Sequence, residues 1–203
     1  MLPTFLSIFF LATITFTGVN PQPTIVSILP ESYTIPNIGL TFTINISIQN
    51  VNNLYAWELT LYYPNDILNA TTITEGPFLK TGNEPTLFHI IEFNNTYTNT
   101  QGRITAICTR YRPDASGVSG NGTLATITFT SKSTNGPKTL HLENVRLINS
   151  NQNEIPYITT DSEITVIPEH PTTLTPLILT ILTLLTIAYR KRLIQNKQEP
   201  QAK

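Results

Sequence analysis

Apolar and polar residues alternate along the middle of this 203-residue chain. The longest such run covers residues 53–79, and its apolar members at every second position are Tyr55, Trp57, Leu59, Leu61 and Tyr63. A period of two residues places alternate side chains on opposite faces of a strand, so this set is predicted to point into a core. The intervening side chains are predicted to point outward, and they are Ala56, Glu58, Thr60 and Tyr62. A turn is predicted at residues 64–66, Pro-Asn-Asp.

Similar short runs predict about nine strands in total. They cover residues 25–29, 40–48, 55–63, 69–74, 87–93, 103–110, 124–129, 140–148 and 164–167. Asn-rich residues 50–53 and glycine-rich residues 117–122 are predicted to be turns between strands. Many short strands without a long amphipathic helix between them favour an all-β fold, an antiparallel β-sandwich.

Two apolar segments flank this region. Residues 1–19 carry no charged side chain and are followed by Asn-Pro-Gln-Pro, which predicts a secretory signal sequence, or alternatively an uncleaved amino-terminal anchor. A short Pro-Thr link within 169–173 leads to the apolar residues 174–189. Counted from Pro171, the stretch to Tyr189 has 19 residues, which predicts a transmembrane helix, with a buried core helix as the alternative. The basic tail 190–203 is predicted to be cytoplasmic, so residues 20–168 form the extracellular domain of a single-pass membrane protein.

Charge is distributed unevenly along the chain. Residues 20–170 hold 7 Lys and Arg against 12 Asp and Glu, whereas the tail from residue 190 holds 5 against 1. An acidic domain argues against nucleic acid as a partner. Cys108 is the one cysteine, so an intrachain disulfide is excluded, and it is predicted to be a small buried side chain.

Two segments carry a resemblance to a known family. Residues 53–80, NLYAWELTLYYPNDILNATTITEGPFLK, resemble the third and fourth strands of a cohesin domain of the type frequent on archaeal surface proteins. Residues 117–128, GVSGNGTLATIT, resemble a later glycine turn and strand of the same family. The resemblance spans residues 25–167 and implies a sandwich of jelly-roll topology. The chain departs from the family pattern in two turns, with Tyr-Pro-Asn at 63–65 and Asp-Ser at 161–162.

The resemblance also implies a function. Cohesins are non-catalytic modules that bind dockerin modules and so hold polysaccharide-degrading enzymes on a scaffold. The outward side chains of their third strand contribute to docking, which assigns a partner-binding role to Ala56, Glu58, Thr60 and Tyr62, with Arg110 at the border of the site. The alternatives are a carbohydrate-binding surface module centred on Tyr62, a structural component of the cell coat, or an ordinary solvated sheet face.

Motifs of catalysis are missing from the sequence. The three histidines lie far apart and none has metal-ligand spacing, and the chain contains neither a Gly-x-Ser-x-Gly elbow nor a phosphate-binding glycine loop. We therefore predict no catalytic residue, metal or cofactor. The Asn-x-Ser/Thr pattern predicts glycosylation at four positions, which are Asn45, Asn69, Asn94 and Asn121.

Overall fold

The computed structural model describes residues 22–112, 116–167 and 174–196. The predicted signal segment 1–19 and the predicted link 169–173 lie outside the described residues. The strands are β1 (Thr24–Leu29), β2 (Ser32–Ile35), β3 (Thr41–Pro64), β4 (Leu68–Glu75), β5 (Thr86–Asn94), β6 (Gln101–Arg110), β7 (Val118–Ser131), β8 (Lys138–Asn149), β9 (Tyr157–Thr160) and β10 (Ser162–Val166). A 3-10 turn covers Phe78–Lys80, and helix α1 covers Leu174–Asn196.

The long strand β3 belongs to two sheets. Its amino-terminal half pairs with β1 and β7, whereas its carboxyl-terminal half pairs with β6 and β8. The first sheet therefore has the order β9-β1-β3-β7-β4, and the second sheet has the order β5-β6-β3-β8-β10-β2. Most pairs are antiparallel, and β1–β9 and β2–β10 are parallel. The predicted β-sandwich is confirmed.

The inner faces of the two sheets share one apolar core. Trp57 is 2% exposed, and Leu59, Leu61 and Tyr63 are also buried, as the alternation predicts. The Tyr63 ring packs edge-on against Phe129 of the first sheet, with 5.0 Å between ring centroids. Because Tyr63 lies on the second sheet, this contact joins the two layers.

Tyr55 is an exception to the predicted alternation. It is half-buried and lies outside the core, and its hydroxyl donates a hydrogen bond to the Arg112 carbonyl oxygen over 2.8 Å. Leu54 is buried in its place. The pairing of β3 with β8 shifts by one residue between Leu54 and Ala56, and a one-residue shift reverses which side chains face the core.

The two predicted turns at 50–53 and 117–122 are wrong. Residues 50–53 lie inside β3, where the pairing with β7 is irregular and where Asn50 and Asn53 have φ of 55° and 62°. Asparagine tolerates this left-handed conformation, so the strand bends there without ending. Residues 118–122 likewise belong to a strand, β7. Gly120 has φ of 117°, which glycine tolerates, and it still pairs with Val51. Strands β2 and β9 were not predicted, because each has only four residues and no clear alternation.

Helix α1 includes the apolar segment predicted to cross a membrane. Its side chains are described for residues 178–192, and these are exposed. Among the described residues, no helix is long and apolar enough to span a bilayer. The predicted transmembrane helix is therefore not confirmed.

Candidate functional site

Four neighbouring strands of the second sheet, β5, β6, β3 and β8, form a broad outer face. Its side chains lie in rows across the strands because directly paired residues of antiparallel strands share a face. One row joins Leu87, Thr109, Ala56 and Ile148, and the next joins His89, Ile107, Glu58 and Arg146. The third row joins Glu92, Thr105, Thr60 and Glu143, and the fourth joins Asn94, Arg103, Tyr62 and His141. We call these rows the second-sheet face.

One half of the second-sheet face is mainly apolar. Ala56, Ile107 and Ile148 line a depression there, together with Trp57 and Cys108. Leu87, on the adjoining edge strand β5, is 54% exposed. A depression of this kind accepts an apolar side chain of a partner, which would remove the exposed carbon surface from water.

Glu58 lies at the margin of this depression. Its carboxylate is 3.9 Å from an Arg146 guanidinium nitrogen, and Arg146 is also 3.4 Å from Glu154. The Arg146 side chain is 60% exposed, so both ion pairs are solvated and contribute little to stability. The arginine and the two carboxylates therefore remain at the surface, where a partner could reach them.

The polar half of the second-sheet face carries an aromatic cluster. The rings of Tyr62 and Tyr97 are 5.9 Å apart, and the Arg103 guanidinium lies 3.8 Å from the Tyr97 ring centroid. Arg103 also forms an ion pair with Glu92, and this hydrogen bond raises the pKa of the arginine. Tyrosine and arginine are, with tryptophan, the residues in which binding energy at protein interfaces is concentrated. No sequence pattern points to Tyr97, because it lies in the loop between β5 and β6.

A histidine–aspartate pair lies beside this cluster. The Nδ1 atom of His141 is 2.6 Å from a carboxylate oxygen of Asp161, and the other oxygen accepts a hydrogen bond from the Leu142 amide. The aspartate thus fixes the ring orientation of His141, which is paired with Tyr62 across the strands. The sequence does not predict this His141–Asp161 pair, because the two residues are 20 positions apart.

The structure separates the predicted site residues into two groups. Ala56, Glu58, Thr60 and Tyr62 lie on the second-sheet face, although Thr60 is only 4% exposed and shares a 3.0 Å hydrogen bond with Thr105. Arg110 does not border this face. It is 6% exposed, and its guanidinium donates to the Thr81 carbonyl oxygen over 3.2 Å. Its position in β6 is that of an inward residue, which follows from the alternation of the strand.

Cys108 belongs to a partly buried polar cluster behind the same face. Its thiol donates to the Glu75 carboxylate over 3.3 Å, and burial raises the pKa of the thiol. Desolvation alone would raise the pKa of Glu75, but hydrogen bonds from Thr86, Lys80 and Cys108 outweigh it and lower this pKa. The thiol is therefore protonated and unreactive at neutral pH, as expected of a structural cysteine. No group of three metal-ligating side chains occurs within residues 22–112, 116–167 and 174–196.

The domain is thus an all-β sandwich that presents an open sheet face with an apolar half and a charged, aromatic half. Residues 25–166 match the family model of the cohesin domain, and the chain belongs to the cohesin family. No significant match was found among curated protein sequences.

Solved cohesin structures share the fold. A non-cellulosomal cohesin from the hyperthermophilic archaeon Archaeoglobus fulgidus is 17% identical, with a TM-score of 0.57 over 72% of this chain and 92% of that one. The sixth cohesin of scaffoldin B from Acetivibrio cellulolyticus, solved in complex with a dockerin, is 11% identical, with a TM-score of 0.58 over 72% of this chain and 100% of that one. A cohesin from Clostridium thermocellum, also solved with a dockerin, is 13% identical, with a TM-score of 0.56 over 71% of this chain and 92% of that one.

Proposed function

We propose that this domain is a non-catalytic docking module that binds a dockerin-like protein through the second-sheet face. The observation that carries the proposal is the composition of that face. It places an apolar depression at Ala56 and Ile107 next to the Glu58–Arg146 pair and the Tyr62–Tyr97 cluster. Apolar anchoring beside charged and aromatic groups is typical of specific protein interfaces. Membership of the cohesin family, and cohesins solved in complex with dockerins, support this class of partner.

Capture of the partner tests this proposal. The full chain is immobilised and exposed to extract of the cells that produce it, once with calcium and once with a chelator. Dockerin-type modules carry paired calcium loops, so we expect mass spectrometry to identify a protein with such loops among those retained, and only in the presence of calcium. Retention of no such protein from an extract shown to contain one would contradict the proposal.

A second candidate is a carbohydrate-binding module, which one observation favours. Tyr97 places a second aromatic ring beside Tyr62, and sugar rings stack on exposed aromatic faces. The two rings are tilted by 53°, so they do not form one flat platform, and this makes polysaccharide the weaker candidate. Retention of the chain on insoluble polysaccharide, together with its loss in both Tyr62→Ala and Tyr97→Ala, would favour this candidate over protein docking.

We further propose that the domain is exported and held at the cell surface, where it takes part in polysaccharide breakdown; membership of the cohesin family supports the last part of this proposal. The support for export is the apolar segment 1–19, and the support for anchoring is the apolar segment 174–189 with the basic residues after it. Protease added to intact cells is expected to remove the domain and to leave the tail 190–203 with the cells. A domain protected from protease in intact cells and released on lysis would contradict the proposal.

A further inference from the structure

The part of the first sheet's outer face formed by β4, β7 and β3 differs from the second-sheet face. The strands β4, β7 and the amino-terminal half of β3 place nine side chains in a three-by-three grid, according to their pairing. Its rows are Asn69, Thr130 and Thr41; then Thr72, Thr128 and Thr43; then Thr74, Thr126 and Asn45. We call these nine residues the threonine face. All nine are threonine or asparagine, so the face bears no formal charge and no large apolar side chain.

This composition is poorly suited to anchoring a protein partner. Binding energy at protein interfaces is concentrated in buried aromatic and arginine side chains, and the threonine face has neither. Its hydroxyls are partly used within the face, as in the 3.2 Å contact between Thr41 and Thr130. Cross-strand threonine pairs of this kind stabilise the sheet and keep its surface hydrated. The threonine face therefore offers no aromatic or arginine anchor to a protein partner.

Sequon asparagines occupy two opposite corners of the threonine face. Asn45 is exposed, and its Oδ1 accepts a 2.8 Å hydrogen bond from Thr126, which leaves Nδ2 without a partner among the described residues. Asn69 is half-buried, and its Nδ2 makes one 3.3 Å contact with the next residue's carbonyl. Nδ2 is the atom that carries an N-linked glycan. A third sequon residue, Asn121, is exposed in the irregular part of β7, beyond the grid.

We propose that N-linked glycans at Asn45, Asn69 and Asn121 cover the first sheet and leave the second-sheet face free for the protein partner. In each case Nδ2 loses a proton and forms a bond to the anomeric carbon of an oligosaccharide carried on a lipid phosphate. The bond from that carbon to the phosphate oxygen breaks, and the lipid phosphate leaves. The fourth sequon asparagine, Asn94, belongs to the outermost row of the second-sheet face beside Arg103, so the proposal requires that this site carries no glycan.

The spacing of the sites fits this arrangement. Asn45 and Asn69 lie on strands separated by β7, and adjacent strands are about 4.8 Å apart, so the two residues are roughly 10 Å apart across the sheet. They are also two rows apart along the strands, which adds roughly 13 Å in that direction. Short threonine side chains separate them, so two glycans fit side by side without any movement of the fold.

Mass spectrometry of the full chain from its own source cells tests the sites. Cleavage after aromatic and leucine residues separates Asn45 from Asn69, because Tyr55, Trp57 and Leu68 lie between them. We expect sugar masses on the peptides that contain Asn45, Asn69 and Asn121. An unmodified peptide for Asn45 or for Asn69 would overturn the proposal. This result does not depend on the identity of any docking partner.

A second experiment tests whether the partner binds the second-sheet face and the glycans lie elsewhere. This experiment rests on the proposed docking function. Glu58→Asn creates a new sequon on the second-sheet face, because Thr60 follows two positions later. The variant is made in the same cells, and its affinity for the captured dockerin-type protein is compared with that of Glu58→Asn/Thr60→Val, which has the same asparagine but no sequon. We expect the glycosylated variant to bind at least tenfold more weakly than its control.

The native sites provide the comparison on the other face. The triple variant Asn45→Gln/Asn69→Gln/Asn121→Gln lacks the proposed glycans and is expected to bind the same protein within twofold of the unaltered chain. Equal binding by the glycosylated Glu58→Asn chain and its control would overturn the division of faces. So would a tenfold change in binding on removal of the native sites. A modified chain without any docking partner would refute the proposed function and leave the glycan assignment standing.

Discussion

At the level of single residues, Trp57 contributes most visibly to the core behind the second-sheet face. It is 2% exposed and packs against Phe88 with 6.1 Å between ring centroids. Trp57→Ala is expected to lower the free energy of unfolding by about 3–5 kcal/mol, because it leaves a large cavity. Denaturant titration checks this value. An unchanged midpoint would contradict the inward placement of the indole.

Glu75 makes stability depend on pH. Its pKa is lowered in the folded domain, since hydrogen bonds from Thr86, Lys80 and Cys108 to the carboxylate outweigh desolvation. A carboxyl group with a lowered folded pKa stabilises the fold above its unfolded value of about 4.3, and this contribution disappears as pH falls through the folded pKa. We therefore expect stability to begin to fall below about pH 5 and to go on falling as the pH passes through the lowered pKa of Glu75.

Glu75→Gln provides the control for this pH dependence. The amide cannot ionise, so the variant is expected to be less stable than the unaltered domain at pH 7 and to lose less stability on acidification. Denaturant titrations at several pH values measure both differences. Parallel pH profiles for the two proteins would contradict the role assigned to the carboxylate.

At the level of elements, the bend inside β3 allows one strand to serve both sheets. Asn53 has φ of 62°, and its Oδ1 accepts hydrogen bonds from the Gly117 amide over 2.9 Å and from the Ser150 hydroxyl over 3.0 Å. This one side chain thus ties β3 to the segments that precede β7 and follow β8. Its loss is expected to weaken the junction of the two sheets.

Two substitutions of Asn53 distinguish the effect of the lost hydrogen bonds from the effect of backbone strain. Asn53→Ala removes the acceptor and strains the backbone, so we expect it to cost about 2 kcal/mol or more of unfolding free energy. Asn53→Gly also removes the acceptor, but glycine tolerates positive φ. We therefore expect its loss of unfolding free energy to be about 1 kcal/mol smaller than that of Asn53→Ala. Urea unfolding measures both. Wild-type stability in Asn53→Ala would show that the bend does not depend on this residue.

The alternation of apolar and polar residues predicts most of the strands. The strands that it misses depend on pairing between distant segments. Trp57 and Leu59 were placed correctly in the core because burial on one side of a sheet imposes a period of two. Residues 50–53 look like a turn, but the pairing on both sides continues the strand through them. Strands β2 and β9 lie at sheet edges and are formed by pairing with distant segments, which a local pattern cannot reveal.

The candidate site was predictable in part. The outward positions of Glu58 and Tyr62 follow from β3 alone. The neighbours that complete the face, such as Tyr97 and Arg146, depend on strand order and register, which require the fold. The expectation that Arg110 borders the site rests on the nearby glycine-rich segment and is wrong, because the alternation of β6 makes Arg110 an inward residue.

At the level of the whole molecule, the two outer faces differ in chemistry while sharing one core. The second-sheet face combines an apolar depression with aromatic and charged side chains, and the threonine face is neutral and polar. The docking function is therefore expected to depend on the second-sheet face and to be insensitive to changes elsewhere on the surface.

The most direct test is the affinity of the captured dockerin-type protein for two charge-matched variants. Glu58→Lys reverses a charge at the centre of the second-sheet face and places it beside Arg146, whereas Glu31→Lys makes the same change on an exposed residue between β1 and β2. We expect calorimetry to show at least a tenfold loss of affinity, about 1.4 kcal/mol, for Glu58→Lys and no change for Glu31→Lys. Unchanged affinity in Glu58→Lys, or equal losses in the two variants, would contradict docking through this face.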